Sequence, residues 1–454
     1  MHVVTQPELV GIKIKAVEKE MPHILNPSRS LSHPAEELVA MMKRIYRYRM
    51  TTTSGGNLSI LDDDETLWIT PTQVDKGGLQ RKDIISIRRD GTVEGPHKPS
   101  SEYPFHKRIY AARPDLRAIV HAHPVALVAF SICGGTPNTW AYNRAYAVCG
   151  EAGFAPYALP GSAKLGENIA AEFAKGFNCV VLENHGVVVG GATLSEAFAR
   201  FETLEFTARI LLKAKALGSP IRYLSPVQIE LAEQQRGEWP EFSPALADAR
   251  EKTLRQELCA FVRRGYEQRL LTSTQGSFSA RVSPESFLIT PVDVDRALVE
   301  PADLVLMDAQ GREQGKVPSG ATRLHQAIYQ RHPSVQAIVM ATPPNATAFS
   351  ITSHALNSRT IPESYIFLRD VHRFLYDQAH GDGRQIAEAM SPEFPVALIE
   401  NSGALVLGKS ILDAFDRLEV LESTSDALIN AQSWGKVRPM SEGVIEEIIE
   451  AFLK

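Results

Sequence analysis

Residues 35–217 and 249–454 carry the same succession of motifs, so this chain has to build one domain twice. Trp68-Ile69-Thr70-Pro71 recurs as Leu288-Ile289-Thr290-Pro291, and Ala129-Phe130-Ser131-Ile132 as Ala348-Phe349-Ser350-Ile351. Leu182-Glu183-Asn184-His185-Gly186 recurs as Ile399-Glu400-Asn401-Ser402-Gly403. The segment that follows keeps its pattern as well, Ala197-Phe198 with Arg200, Glu202 and Glu205 against Ala414-Phe415 with Arg417, Glu419 and Glu422. The offset drifts only from 220 to 217 across the domain. Residues 1–34 read as an N-terminal arm, and the proline-containing stretch 218–248 as a linker between the copies.

Within the first copy, short apolar runs alternate with amphipathic ones. Strands are expected at Ser59-Ile60, Leu67–Ile69, Ile84–Ile87, Ala118–His123 and Cys179–Leu182. Helices are expected from Pro34, over Pro104–Ala112 and Lys164–Ala174, and over Ser195–Ala216. The alternation lacks a strict βαβ rhythm. The expected fold class is α/β of an α+β-like kind, each copy a mostly antiparallel or mixed sheet flanked by helices.

A duplicated chain carries its own control for separating chemistry from folding. Pro71, His106, Pro124, Glu183, Asn184 and Gly186 persist in the second copy as Pro291, His325, Pro343, Glu400, Asn401 and Gly403. Residues kept in both read as structural, which makes His106 a packing histidine and Glu183 a structural carboxylate. Other positions diverge together. His121, His123 and His185 stand opposite Met340, Thr342 and Ser402, and Glu102 stands opposite Ala321. Ser101, Asn57 and Thr72 face Gly320, Ser277 and Val292. Three imidazoles and one carboxylate vanish while the apolar frame around them survives, which marks them as a chemical set.

His121 and His123 end a strand one residue apart, so their rings share a face. With His185 they make a three-nitrogen set that leaves a position open for substrate, the pattern of a catalytic metal. Zn²⁺ is the first expectation, with Mn²⁺, Co²⁺ or Fe²⁺ compatible by ligand type. Glu102, in Pro99-Ser100-Ser101-Glu102 before a helix, is the candidate acid/base and fourth ligand; the competing reading is a carboxylate at a helix start. Ser54, Asn57, Thr72, Ser100 and Ser101 are short polar residues on three loops, suited either to an oxyanion or to turn chemistry.

Taken together, Ser54-Gly-Gly-Asn57-Leu-Ser, Ile69-Thr-Pro-Thr72, Pro99-Ser-Ser-Glu102, His121-Ala-His123-Pro and Asn184-His185-Gly resemble the class II aldolase/adducin family. The resemblance covers residues 35–217 and, in degenerate form, about 250–435. It implies metal on His121, His123 and His185, with Glu102 as acid/base and metal partner. It implies phosphate contacts from Ser54, Asn57, Thr72, Ser100 and Ser101, and a proton donor in Tyr142 that serves a neighbouring domain. Glu102 is the aldolase-like choice, where the epimerases carry Asp. Gln73 departs from the pattern, since the phosphate-binding aldolases have Gly there.

The function expected is a metal-dependent carbon–carbon lyase acting on a small hydroxy-carbonyl substrate, such as a sugar phosphate, through a metal-stabilised enediolate. Decarboxylase, dehydratase and epimerase chemistry on the same platform is the alternative, and an adducin-like interaction protein the alternative of another class. The family also implies a homo-oligomer whose site a neighbouring subunit completes, a ring that two chains of this kind could reproduce with intact and degenerate domains alternating. A net charge of −5 without a basic cluster gives no footprint for nucleic acid. No apolar run approaches a membrane span. Four scattered cysteines and no leader-like N-terminus point to a cytoplasmic protein.

Overall fold

The computed structural model describes residues 33–234 and 238–453. The first copy holds strands β1 (Asn57–Leu61), β2 (Leu67–Ile69), β3 (Ile85–Ile87), β4 (Val93–Glu94), β5 (Ala118–Ala122), β6 (Ala152–Ala155), β7 (Cys179–Leu182) and β8 (Gly186–Gly191). Its helices are α1 (Pro34–Arg47), α2 (Tyr103–Ala112), α3 (Val125–Ile132), α4 (Asn143–Cys149), α5 (Ala163–Ala174), α6 (Leu194–Ala216) and α7 (Pro226–Gln234). The second copy adds β9 (Glu241–Phe242), β10 (Ser277–Ser283), β11 (Ser286–Ile289), β12 (Val305–Met307), β13 (Arg312–Glu313), β14 (Ala337–Ala341), β15 (His372–Phe374), β16 (Val396–Ile399) and β17 (Gly403–Gly408). Its helices are α8 (Ala249–Glu267), α9 (Thr322–Arg331), α10 (Pro344–Ser350), α11 (Pro362–Leu368), α12 (Tyr376–Ala379), α13 (Arg384–Ala389), α14 (Ile411–Trp434) and α15 (Glu442–Phe452).

Both sheets have one order. The first runs β4-β3-β2-β1-β5-β8-β7-β6, and the second reads the same with β13-β12-β11-β10-β14-β17-β16-β15 and β9 added at its edge. All pairs are antiparallel except β6–β7, β15–β16 and β13–β9. Even the register is repeated, Asn57 opposite His121 and Ser277 opposite Met340. The mixed-sheet expectation therefore holds. The arm expected over residues 1–34 lies outside the described residues except for His33 and Pro34, and Pro34 opens α1.

Local sequence explains the elements that frame the site. In α1 the residues Ala35, Leu38, Met42 and Ile45 fall on one face and are buried, and the His33 ring accepts from Ala35 N–H at 3.1 Å to cap the start. Strand β5 is apolar and β-branched up to His121 and is buried along its whole length, as a central strand covered on both faces must be. Helix α6 is buried nearly all round, because it lies between the two copies and packs on α10 as well as on its own sheet.

The seam between the copies is polar at its heart. The Arg44 guanidinium grips Asp295 with two bonds of 2.5 and 2.9 Å and lies 4.5 Å over the rings of Phe198 and Tyr266. Tyr266 donates to buried Glu202 at 2.8 Å, which also accepts from Ser273 N–H at 2.7 Å. Removing one partner here would strand a buried charge, at a cost of about 3–5 kcal/mol. Residues 218–248 are more than a linker. Ile221 bridges to Thr352, α7 packs over Tyr376, and β9 joins the second sheet. Among the described residues no helix is long and apolar enough to cross a membrane.

Candidate metal centre

His121 occupies the end of β5, held between Asn57 of β1 and Val188 of β8. His123 follows just past the strand. His185 sits in the turn from β7 to β8, where its N–H donates to Leu182 O at 3.1 Å and to Ser131 Oγ at 2.9 Å. That turn presses directly on the His-x-His segment. A Cβ on Gly186 would stand 2.6 Å from both Ala122 O and the His123 ring, so only glycine fits there. Asn184 takes the left-handed conformation that starts the turn (φ 54°), and Asn401 repeats it (φ 51°).

The three rings converge. His121 Nε2 and His123 Nε2 are 3.1 Å apart, and one ligand atom from each of the three histidines lies within 4.8 Å of the others. Glu102 brings Oε2 to 3.1 Å from His121 Nε2 and Oε1 to 3.5 Å from His185 Nε2. Glu102 does not cap α2; its carboxylate turns inward. His121 Nδ1 meets Val187 O at 3.0 Å, which fixes Nδ1 as the protonated nitrogen and aims the Nε2 lone pair at the cluster. Two facing imidazole lone pairs and a carboxylate oxygen with no other hydrogen-bond partner, Glu102 Oε1, are a donor set for a cation. The residues present fit a divalent metal ion.

Electrostatics separates their roles. Burial would raise the Glu102 carboxyl, yet His121 and His185 beside it, with bonds from His121 and Asn57, hold it well below the usual carboxylate range. Burial would lower His121, but Glu102 outweighs it and the net shift is upward. Burial and the neighbouring His121 carry His123 down to about 3 and His185 down to about 4. Two of the rings thus stand neutral at physiological pH, the form that ligates metal.

Glu102 is held from behind by a relay. Tyr110 OH and Ser59 Oγ are 2.7 Å apart, Ser59 Oγ meets His106 Nδ1 at 2.7 Å, and His106 Nε2 meets Asn57 Oδ1 at 2.5 Å. Asn57 Nδ2 then donates to Glu102 Oε2 at 2.7 Å. Directions agree along the whole line when His106 is neutral with Nε2–H, and burial drives its pKa down to about 3. The second copy keeps Tyr329, Ser279 and His325 at matching distances of 2.8 and 2.7 Å. There the line stops, and His325 Nε2 and Ser277 Oγ have no hydrogen-bond partner. His106 is thus the structural residue expected, and Asn57 is the link that ties the common frame to the chemical set.

The remaining residues from the sequence lie on loops around this cluster. Thr72 N–H donates to Lys98 O at 3.1 Å and Pro71 bridges to Pro99, which brings the loop of Thr72 beside that of Ser100 and Ser101. Ser100 is buried, its Oγ accepting from Glu102 N–H at 3.2 Å, whereas Ser54 and Ser101 are exposed. Gln73 adopts φ 56°, the left-handed region that makes glycine the easy residue there. Sequence reasoning passed over Lys76. Its ammonium is buried, donates to Pro71 O at 2.6 Å, and is lowered to about 8 by burial. Arg296 donates to Pro291 O at 2.9 Å in the second copy, so a basic residue at both positions was the available signal.

The model of the class II aldolase and adducin N-terminal domain matches residues 36–212 and again 256–429. The chain belongs to the class II aldolase and adducin family. Over 194 residues it is 37% identical to 3-oxo-tetronate 4-phosphate decarboxylase of Pectobacterium atrosepticum, which takes in 42% of this chain and 87% of that protein. Over 192 residues it is 33% identical to 5-deoxy-D-ribulose 1-phosphate aldolase of Bacillus thuringiensis serovar kurstaki, 42% of this chain and 89% of that one. Among solved structures, an L-fuculose 1-phosphate aldolase shares 32% identity over 44% of this chain and 93% of its own, with a TM-score of 0.40.

Tyr142 reaches the second copy, whose counterparts of the three histidines are Met340, Thr342 and Ser402. Its buried hydroxyl accepts from Gln275 Nε2 at 3.3 Å and from Thr207 at 3.5 Å. Gln275 Oε1 in turn bonds to Thr342. Gln275 and Thr342 are the counterparts of Gly55 and His123, so the phenol ends in the second copy's vacated position.

Proposed function

We propose that this chain is a metal-dependent carbon–carbon lyase acting on a small phosphorylated hydroxy-carbonyl compound. The reading is carried by one observation, the convergence of His121, His123 and His185 on Glu102 in the copy that keeps its relay. His121, His123 and His185 would hold the metal, with zinc the first choice for three imidazoles. A bound divalent ion supplies Lewis acidity for the carbonyl oxygen on which negative charge gathers as the bond breaks. Asn57 holds the Glu102 carboxylate beside that position, where it carries a proton to or from the carbon. Ser54, Thr72, Ser100 and Ser101, on loops that meet beside Glu102, would receive the phosphate.

The position of Tyr142 favours decarboxylation over aldol cleavage. Aldol cleavage needs a base for the hydroxyl of the departing aldehyde. A 3-oxo acid instead releases carbon dioxide from an ionised carboxylate: the C–C pair becomes a C=C bond as the carbonyl π pair moves to oxygen, and Glu102 then relays a proton from solvent to the carbon, which restores the carbonyl. Tyr142 is committed to Gln275 and serves no intact site, which supports the second route. The similarity to a 3-oxo-tetronate 4-phosphate decarboxylase agrees with it. The protein would work as a homo-oligomer in the cytoplasm. Assaying the zinc-loaded protein on 3-oxo-tetronate 4-phosphate and on L-fuculose 1-phosphate tests the choice. Release of carbon dioxide from the first at least tenfold faster than cleavage of the second is expected, and the reverse order would return the aldolase reading.

A further inference from the structure

The second copy carries a cavity at a place that the first copy fills. Helices α2 and α5 pack side by side, and α9 and α13 repeat them, with Gly166-Glu167-Asn168-Ile169-Ala170 recurring as Gly383-Arg384-Gln385-Ile386-Ala387. In the first copy Arg108 closes the groove between the helices. Its stem lies on Gly166, where a Cβ would stand 2.9 Å from Arg108 Cδ, and its guanidinium reaches Glu167 at 3.7 Å. The second copy has Ala327 in place of Arg108 and Arg384 in place of Glu167. The filling side chain is gone and its partner has changed sign. A cavity of about 470 Å³ results, with Trp239 in one wall. That size falls within the range of cavities that bury small organic ligands.

The lining is charged at both ends. On α9 the cavity face runs Arg323, Gln326, Ala327, Gln330 and Arg331, a single stripe of the helix. Eight residues separate Arg323 from Arg331, which spaces them by about 12 Å along the axis. Gly383 lies against Leu324, so Arg384 joins Arg323 at one end. His332 Nε2 meets Ala387 O at 2.7 Å, so Glu388 joins Arg331 at the other. Asp382 neutralises Arg384 at 3.1 Å, whereas Arg323 and Arg331 form no ion pair among the described residues. The positions of Arg323, Arg331 and Glu388 are Pro104, Ala112 and Ala171 in the first copy. Three charges have been gained around a groove that has lost its filling. A merely solvated helix face would carry the charges without the void. Trp239 is half-buried, packed on the apolar core of the second copy with the rest of its indole lining the cavity.

Each wall suits a different part of one elongated molecule. A guanidinium free of any carboxylate, beside a second one, takes a phosphate. A carboxylate at the far end accepts from sugar hydroxyls, and an indole stacks on a flat heterocycle. We infer that the second copy binds a nucleoside phosphate in this cavity, with its phosphate at Arg323, its ribose hydroxyls on Glu388 and its base against Trp239. A bare anion would occupy one end and leave the indole and Glu388 without a role. The copy that lacks metal ligands is thereby a ligand-binding module, whether or not the first copy is a lyase.

Calorimetric titration of the full chain with AMP tests this. AMP should bind once per chain, and adenosine and inorganic phosphate at least about tenfold more weakly, because each reaches only part of the cavity. Arg323→Gln should weaken AMP by about tenfold or more and leave adenosine unchanged, while Trp239→Leu should weaken both alike. Ala327→Arg with Arg384→Glu rebuilds the pair that already fits between α2 and α5. It should abolish binding with the far-ultraviolet dichroism unchanged. This double variant leaves the loops of the candidate metal centre untouched, so AMP that still binds to it would be held there, and the proposal would fall. No binding of AMP by the wild type at millimolar concentration would overturn it, as would phosphate binding as tightly as AMP. A polyglutamate peptide that binds where AMP does not would make the groove a docking face for acidic protein and overturn it too. Should the double variant unfold, Arg323→Gln decides alone, since that position is exposed and unchanged AMP affinity there refutes the site.

Discussion

Replacing Asn57 with Ser copies into the working domain the change that ends the relay in the second. The side chain now bridges His106 Nε2 at 2.5 Å and Glu102 Oε2 at 2.7 Å, and serine is too short to do both. Two losses follow. A buried histidine N–H without a partner costs about 1–3 kcal/mol, and a hydrogen bond to a charged carboxylate contributes about 1.5–3 kcal/mol. The first loss falls on stability, and His325 shows that the fold survives it. The second falls on the placement of Glu102. If about 1.4–2.8 kcal/mol of it is felt when the proton moves, turnover drops about 10–100-fold. The assay is kcat and KM on the phosphorylated 3-oxo acid, with metal content measured on the same samples. A fall in kcat with metal retained supports the relay. A raised KM with unchanged kcat would mean that Asn57 chiefly contacts phosphate, as the family resemblance implies, and would refute the positioning argument.

Glu102→Gln should keep most of the metal and lose about 10²–10⁴ in turnover, the usual worth of a placed acid/base; activity within threefold of wild type would reduce Glu102 to a structural group. Tyr142→Phe should leave turnover within twofold while costing about 1 kcal/mol of stability from its bonds to Gln275 and Thr207, and a hundredfold loss of turnover would restore it as a proton donor. Metal affinity should weaken in acid. The raised pKa of His121 keeps a proton on the metal-free site up to higher pH, so apparent affinity climbs until that proton is lost and then levels off. For the metal-free protein the sign is opposite at His121: a raised pKa gives stability that is full below about pH 6.5 and fades as pH rises through the folded value. Titration by calorimetry in buffers from pH 5 to 9 checks both, and a pH-independent affinity would exclude His121 as a ligand.

Much of this was legible in the residues because duplication supplied a comparison within one chain. The paired losses at His121, His123, His185 and Glu102 singled out side chains that the fold then brings together. Strand alternation was enough to put His121 and His123 on one face. The partners of Asn57 were not legible, since its link to His106 spans 49 residues and depends on how β1 lies beside α2. The target of Tyr142 was not legible either. The resemblance implies that it serves a neighbouring domain, but it does not say which copy, and the partner Gln275 lies 133 residues away. Residues 218–248 read as a linker because their prolines hide the short pattern Ile221-Arg222-x-Leu224 that docks on the second copy.

The central claim is that one copy binds metal and the other does not. Elemental analysis of purified protein, after removal of loosely held ions, tests it most directly. The account predicts about one divalent ion per chain for the wild type and for Met340→Ala in the second copy, and close to none for His121→Ala or His185→Ala. Two ions per chain, or one ion that survives loss of both His121 and His185, would contradict it.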